Sequence, residues 1–362
     1  MSDRVTQLDD SNLAAFARGC AILGTGGGGD PYVGLLMALQ AVEEYGPIPV
    51  VDLDDLPGDG LIMPCGMIGA PTVSIEKLGD GTEGDRLRDR VEQLFGKPVV
   101  ALLAGEIGGS NGILPASWAA RMGLPVVDAD GMGRAFPEIP MMTMEIAGIS
   151  PNPSVMTDER GNVLVVDAID GKWTERLERV ISTEFGGKGA SAEYMLTVLE
   201  ARTATVRNTI TLATRIGRVL EEADGEPLDA LVAELDAAVL IRGKITDVER
   251  RTTGGFVRGS ATIDGLGDDT GRRLVLEIQN ENLVALEGGE LRAIVPDLIS
   301  VLDSESAEAI TTERLRYGQR VAVIAYPCDP IWRTAGGLSL AGPGAFGYDH
   351  PYVPIEELRA RA

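Results

Sequence analysis

The chain has 362 residues, of which 44% are hydrophobic and 24% charged, and its formal net charge is −23. That length is too great for one ordinary core and suits two domains, and the composition is that of a globular protein. So acidic a chain repels phosphate backbones and anionic lipid, so neither nucleic acid nor a membrane is expected as a partner.

Residues 1–10 (MSDRVTQLDD) carry acids where a secretory signal carries an apolar run. No segment approaches the roughly 18 apolar residues needed to span a bilayer. Cys20, Cys65 and Cys328 lie far apart with no C-x-x-C pair, so the expectation is reduced thiols in a cytoplasmic protein.

In chain order, residues 11–23 read as a helix with Ser11 as N-cap, followed by a loop over Gly24–Gly29. Asp30 ahead of Pro31 is a strong helix start, and that helix should run to Gly46. Short apolar runs at 49–53, 61–63, 98–104 and 124–130 read as buried strands, alternating with helices at 82–95 and 115–122. Such alternation predicts a mostly parallel sheet covered on both faces. Residues 154–170 predict a hairpin turning near Arg160, Gly161 and Asn162. The pattern then reads as helical from 172 to 236, and from 238 as short β-rich runs of the kind that form a small barrel or sandwich. The expected division is an α/β domain over 1–170, a helical connector over 171–236 and a β-rich domain over 237–362.

The chain holds 46 glycines, and their clusters mark three loops. The first, GTGGGGDPY at 24–32, opens a helix, so the amides of Gly26, Gly27, Gly28 and Gly29 and the side chain of Asp30 are candidates to cradle a carboxylate, phosphate or oxyanion. It is neither a Walker loop nor a dinucleotide fingerprint. A tight helix–helix turn would also use glycine, though rarely five in six positions. The second, AGEIGGSNG at 104–112, follows a strong strand and would project Glu106, Ser110 and Asn111 into the crevice at its carboxyl end, unless Ser110 or Asn111 merely caps a helix starting at Pro115. The third, VVDADGMGRAFPE at 126–138, ends another strand. Asp128 and Asp130, two apart on an extended segment, should point the same way, as metal ligands or as an acid of raised pKa. Arg134 and Glu138 follow, with Arg134 either binding a substrate carboxylate or pairing with the two aspartates across the turn.

The only histidine, His350, and the Cys328-Asp329 pair give weaker signals, read more readily as structure than as a triad or thiolate. Lys188 in FGGKG suits either an anion contact or a solvated turn.

The strings GTGGGGDPY, GGSN, DADGMGRAFPE with its following MMT, and the late GPGAFGYD resemble the S-methyl-thiohydantoin desulfurase-like family, over nearly the whole chain. Members are often encoded near hydantoinase and oxoprolinase genes. The resemblance implies an N-terminal three-layer α/β domain, a C-terminal β-barrel-like domain, and hydrolysis of a five-membered thiohydantoin or hydantoin-like ring with release of sulfur. Loop chemistry then suggests that one of Glu106, Asp128 and Asp130 activates water while the Gly26–Gly29 amides stabilise the developing anion. A divalent metal ion on the same carboxylates is the variant cofactor expectation. A non-catalytic accessory subunit of a hydantoinase or oxoprolinase system is the competing class. Either way the expected partners are a small-molecule substrate and further copies of the chain, as a homo-oligomer.

Overall fold

The structure is a computed structural model describing residues 4–69, 73, 76–253 and 256–361. The N-terminal half runs β1 (Gln7–Leu8), α1 (Leu13–Leu23), α2 (Pro31–Tyr45), β2 (Ile48–Val51), β3 (Leu61–Gly69), α3 (Glu83–Phe95), β4 (Val99–Ala104), α4 (Ser110–Met122), β5 (Val126–Asp130), α5 (Thr143–Ile146), β6 (Ser154–Thr157) and β7 (Val163–Val166). Then come α6 (Gly171–Glu184), β8 (Lys188–Ala192), β9 (Leu196–Thr197), α7 (Val198–Ala204), β10 (Val206–Arg207), α8 (Thr209–Glu222) and α9 (Pro227–Leu235).

At the centre of the first sheet, β2, β5, β4 and β3 lie side by side and parallel. The apolar run VVALLA makes β4 an inner strand, with Leu102 and Leu103 fully buried. Around this centre every pairing is antiparallel: β1 on β2, β10 on β5, β9 and β8 on β3, then β6 and β7 beyond β8. The mostly parallel sheet expected from the sequence is therefore parallel only in its four middle strands. The hairpin expected at 154–170 is the β6–β7 pair, in register from Ser154↔Val166 to Thr157↔Val163.

Residues 171–236, expected as a helical connector, supply α6 to α9 but also β8, β9 and β10, all three paired into the first sheet. β8 has the sequence KGASA, with no large apolar, β-branched or aromatic residue to betray a strand; pairing with β3 and β6 on its two sides makes it one. Two helix starts also differ from expectation. Asn12 rather than Ser11 precedes α1, and its side chain accepts from the Asp9 amide instead of capping the helix. Helix α4 begins at Ser110, so Pro115 lies inside it. Asp30 does cap α2, accepting from the Tyr32 amide at 2.9 Å.

The second sheet contains β11 (Ala238–Thr253), β12 (Phe256–Gly265), β13 (Arg273–Gln279), β14 (Glu281–Glu287), β15 (Glu290–Ile294), β16 (Leu298–Asp303) and β17 (Arg320–Tyr326). It is wholly antiparallel in the order β15-β14-β13-β12-β11-β17-β16. The ends curl towards one another: Asn282 Nδ2 on β14 donates to the Ile299 carbonyl on β16 at 3.2 Å. The result is a curled half-barrel around Ile241, Ile263, Leu276, Val301 and Val323. Helices α10 (Ala335–Ala341) and α11 (Ile355–Arg361) complete the chain.

The end of α1 is seated on this second sheet. Ser300 Oγ and Tyr326 OH both donate to the Ile22 carbonyl, at 2.9 and 2.8 Å, adding to the Thr25 amide that this helix-end carbonyl already accepts at 3.2 Å. The glycine loop that follows is thereby held between the two sheets. No helix among the described residues is long and apolar enough to cross a membrane.

Candidate active site

Parallel β3, β4 and β5 end on one edge of the first sheet, where ligands of open α/β sheets bind. A cavity of about 150 Å³ lies there, and all three glycine-bearing loops reach it. Of the residues singled out in the sequence, Gly28, Gly29, Asp30, Glu106, Ser110, Asn111 and Glu138 line it; Gly26, Gly27, Asp128, Asp130 and Arg134 do not.

Glu106 follows directly on β4 and is buried. Its Oε1 accepts from Asn111 Nδ2 at 2.6 Å and its Oε2 from the Phe136 amide at 3.2 Å. Asn111 is itself fixed: its Oδ1 accepts from the Met67 amide at 2.9 Å and its Nδ2 reaches the Met67 carbonyl at 3.2 Å. It thus acts as a strut between β3 and Glu106, rather than as a cap for α4. Phe136 is clamped by the Trp332 ring, edge-on at 4.8 Å, and by the Arg134 guanidinium 4.3 Å over its own ring. Burial, partly offset by the Asn111 and Phe136 hydrogen bonds, pushes the Glu106 carboxyl up to about 7. A carboxyl group poised there exchanges protons at neutral pH in either direction.

The two aspartates of β5 sit behind the cavity. Asp128 accepts from the Thr211 amide at 3.0 Å and the Thr211 hydroxyl at 2.6 Å, tying β5 to α8. Asp130 Oδ2 gathers three amides, from Ile107, Met132 and Gly133, at 2.8 to 3.0 Å. It shapes both neighbouring loops at once, and burial lifts its carboxyl to about 7 as well. Arg134 is wholly buried and makes no pair with either aspartate. It donates to the carbonyls of Ala135, Pro296 and Asp297 and to Thr25 Oγ1, so it joins the third loop to the half-barrel.

The glycine loop spends much of its backbone on protein. The Gly28 and Gly29 carbonyls accept from the amides of Asn111 and Ser110, and the Thr25 and Gly26 carbonyls from those of Asn282 and Thr312. A Cβ on Gly27 would stand 1.9 Å from Glu281 Oε1. The close approach that this glycine permits is to a side chain of the same chain. Among the described residues, the amides of Gly28 and Gly29 have no acceptor, which leaves them as candidate donors at the cavity wall.

Among the charged lining residues, Glu83, Arg179, Glu193 and Glu281 escaped the sequence reading. Glu281 comes from the tip of the β13–β14 hairpin and Glu193 from the end of β8. Both are buried, and burial raises both carboxyls. Arg179, on α6, holds Glu175 at 2.5 Å. The available signal for Glu281 was the polar stretch Gln279, Asn280, Glu281 and Asn282 between two apolar strands, since a buried polar run inside a β pattern requires a reason. Lys188 belongs to β8, not a solvated turn, and lines the cavity; burial lowers its pKa.

Cys65 also lines the cavity, but its thiol is buried and pushed well above the ordinary range, and Cys328 is pushed up to about 12 by burial and by Asp297. Neither supplies a thiolate at neutral pH. His350 is exposed and outside the cavity lining. Among the described residues, no group of three or more His, Cys, Asp or Glu side chains converges as a metal site.

An α/β sheet with an acid-lined cavity closed by a curled antiparallel half-barrel is the class of protein these observations define. Residues 11–168 match the S-Me-THD-like N-terminal domain and residues 169–355 the S-Me-THD-like C-terminal domain. The chain belongs to the S-methyl-thiohydantoin desulfurase-like family. It is similar, at 26% identity, to a protein from Chromobacterium violaceum whose crystal structure was determined by the Northeast Structural Genomics Consortium. That likeness covers 97% of this chain and 100% of the other, with a TM-score of 0.78. No curated protein matches.

Proposed function

We propose that the chain is a hydrolase that removes the sulfur substituent from a thiohydantoin-like five-membered ring. Supporting this are the family's name and, above all, the state of Glu106: a buried carboxyl at the cavity wall, oriented by two hydrogen bonds and poised near 7. Glu106 takes a proton from water, and the oxygen bonds to the ring carbon that bears sulfur. The adduct collapses to a ring carbonyl as the carbon–sulfur bond breaks and a thiol departs. The Gly28 and Gly29 amides are the donors placed to stabilise the adduct's charge. Asp130 and Asp128 act on loop geometry and Arg134 on domain docking, while Ser110, Asp30 and Glu138 shape the ligand contacts.

The cavity's chemistry suits a small, neutral, amide-like ring. Burial holds Glu193 and Glu281 towards their neutral forms, in which a carboxyl both donates and accepts, as a cyclic amide does. The test is thiol release from an S-methyl-thiohydantoin by the purified chain alone. Glu106→Gln should lower kcat by about 10²–10⁴, the usual worth of a positioned base. Absence of release by the native chain, or full turnover by folded Glu106→Gln, would overturn the reading.

A further inference from the structure

We propose that Glu281 is a second catalytic carboxyl at this cavity: the acid that gives its proton to the departing sulfur while Glu106 serves the attacking water. The inference rests on the hydrolase reading and supplies the step it leaves open, the source of the proton that lets sulfur depart as the neutral thiol.

The first support is placement. Gln279, Glu281 and Asn282 are all buried, at 5%, 1% and 0% exposure, inside a strand pair whose other buried residues are leucine, isoleucine, valine and alanine. The hairpin turns at Asn280 in the left-handed region, φ 57°, a conformation asparagine tolerates better than most residues. Its tip is then fastened to the glycine loop on both sides. The Asn282 amide and Nδ2 donate to the Thr25 carbonyl at 2.8 and 2.9 Å. Thr312 donates through its amide to Gly26, at 2.9 Å, and through its hydroxyl to the Asn280 carbonyl, at 2.6 Å. Glu281 therefore reaches the cavity from a rigid support, through the gap that Gly27 leaves by having no side chain.

The second support is an unused atom. Glu281 Oε2 has no hydrogen-bond partner among the described residues, although the side chain is 99% buried and lines the cavity. Leaving such an atom unpaired costs about 1–3 kcal/mol, which a ligand contact would recover. The third is the neighbour: among charged groups Glu106 acts most strongly on Glu281, raising its pKa together with burial, and the opposing pull of Arg134 is weaker. Two carboxyls that interact in one buried cavity do not both ionise readily, so one keeps its proton while the other acts as base. Of the cavity's other buried acids, Glu83 is spent on the Asp80 and Gly81 amides, and Glu193 interacts with Glu178 and Ser191 while its Oε1 has no hydrogen-bond partner among the described residues; Asp30 holds Arg314 and the Tyr32 amide.

The proton balance closes without a co-reactant. Glu106 takes one water proton and returns it to the ring nitrogen as the oxygen adds. When the carbon–sulfur bond breaks, its electron pair leaves with sulfur, Glu281 gives sulfur its proton, and Glu106 takes the adduct's hydroxyl proton. Passage of that proton from Glu106 to Glu281 restores both groups, and the sum is ring plus water giving ring carbonyl plus thiol.

The experiment compares S-methyl and S-trifluoroethyl thiohydantoins, because trifluoroethanethiolate leaves readily without protonation. Glu281→Gln exchanges a neutral acid for a neutral amide of nearly the same shape, so the fold should survive. The expected result is a loss of about 10²-fold or more in kcat on the methyl compound, and under about tenfold on the trifluoroethyl compound. Glu106→Gln should impair both alike. Equal losses on the two substrates with Glu281→Gln, or no loss on either, would overturn the assignment while leaving the hydrolase reading intact. Should that variant fail to fold, the native chain decides: similar kcat for both substrates supports proton donation to sulfur, and a steep preference for the trifluoroethyl compound refutes it. A native chain releasing neither thiol defeats the hydrolase reading, and this assignment with it.

Discussion

Asn111 shows how one side chain sets the chemistry of another. Its Nδ2 hydrogen bond stabilises the ionised form of Glu106, so it lowers a pKa that burial raises. If Glu106 is the base, kcat/KM rises with pH through an apparent value near 7, shared with neighbouring Asp130 because the two interact. Asn111→Ala should move that rise to higher pH, since the carboxyl then loses a donor. It should also cost about 1–3 kcal/mol, because the Met67 amide and carbonyl lose their partner. A pH–rate profile of the folded variant checks the sign, and an unmoved or downward shift would contradict it. That Glu106 and Asn111 lie at the cavity was open to a sequence reading, because the loop that carries them follows a strong strand; the strut that Asn111 forms from Met67 to Glu106 was not. Asp128 and Asp130 were not: alternation along β5 shows that they share a face, but not which neighbours cover it. Thr211 and the Ile107, Met132 and Gly133 amides decided that, as buried carboxylates must find donors.

At the level of elements, the glycine loop was legible as a segment that reaches the cavity, but its partner was not. The loop's glycines answer as much to Glu281 and to Gly108 as to any ligand: a Cβ on Gly28 would stand 2.2 Å from the Gly108 carbonyl oxygen. The partner hairpin lies more than 250 residues further along the chain, as the separation of 257 between Asn282 and Thr25 shows, and no local pattern connects them. Gly27→Ala tests this coupling. The added methyl must displace the Glu281 carboxyl, at a cost of about 1–3 kcal/mol for overpacking. The variant should therefore discriminate against the S-methyl substrate as Glu281→Gln does, measured as thiol release per folded molecule. Indifference to the leaving group would mean that the gap at Gly27 serves packing alone. β8 was illegible for a different reason: KGASA has no large apolar, β-branched or aromatic residue to mark a strand, and its identity comes from β3 and β6 on either side.

In the whole molecule, the two sheets build one site. The first contributes Glu106 and its supports, and the second contributes Glu281, while Arg134, Ser300 and Tyr326 fasten them together across the glycine loop. The sequence announced an α/β part before a β part, because strand-length apolar runs alternate with helices only in the first half. It could not announce that the cavity draws on both, since that depends on docking through buried hydrogen bonds. The central claim is that water attacks the ring carbon bearing sulfur and leaves the ring closed. Turnover of an S-methyl-thiohydantoin in water enriched in oxygen-18, followed by mass spectrometry of the products, tests it most directly. The account predicts one heavy oxygen in an intact ring, at the carbon that lost sulfur, with one equivalent of methanethiol. Heavy oxygen in a ring-opened carboxylate that retains its sulfur would contradict it.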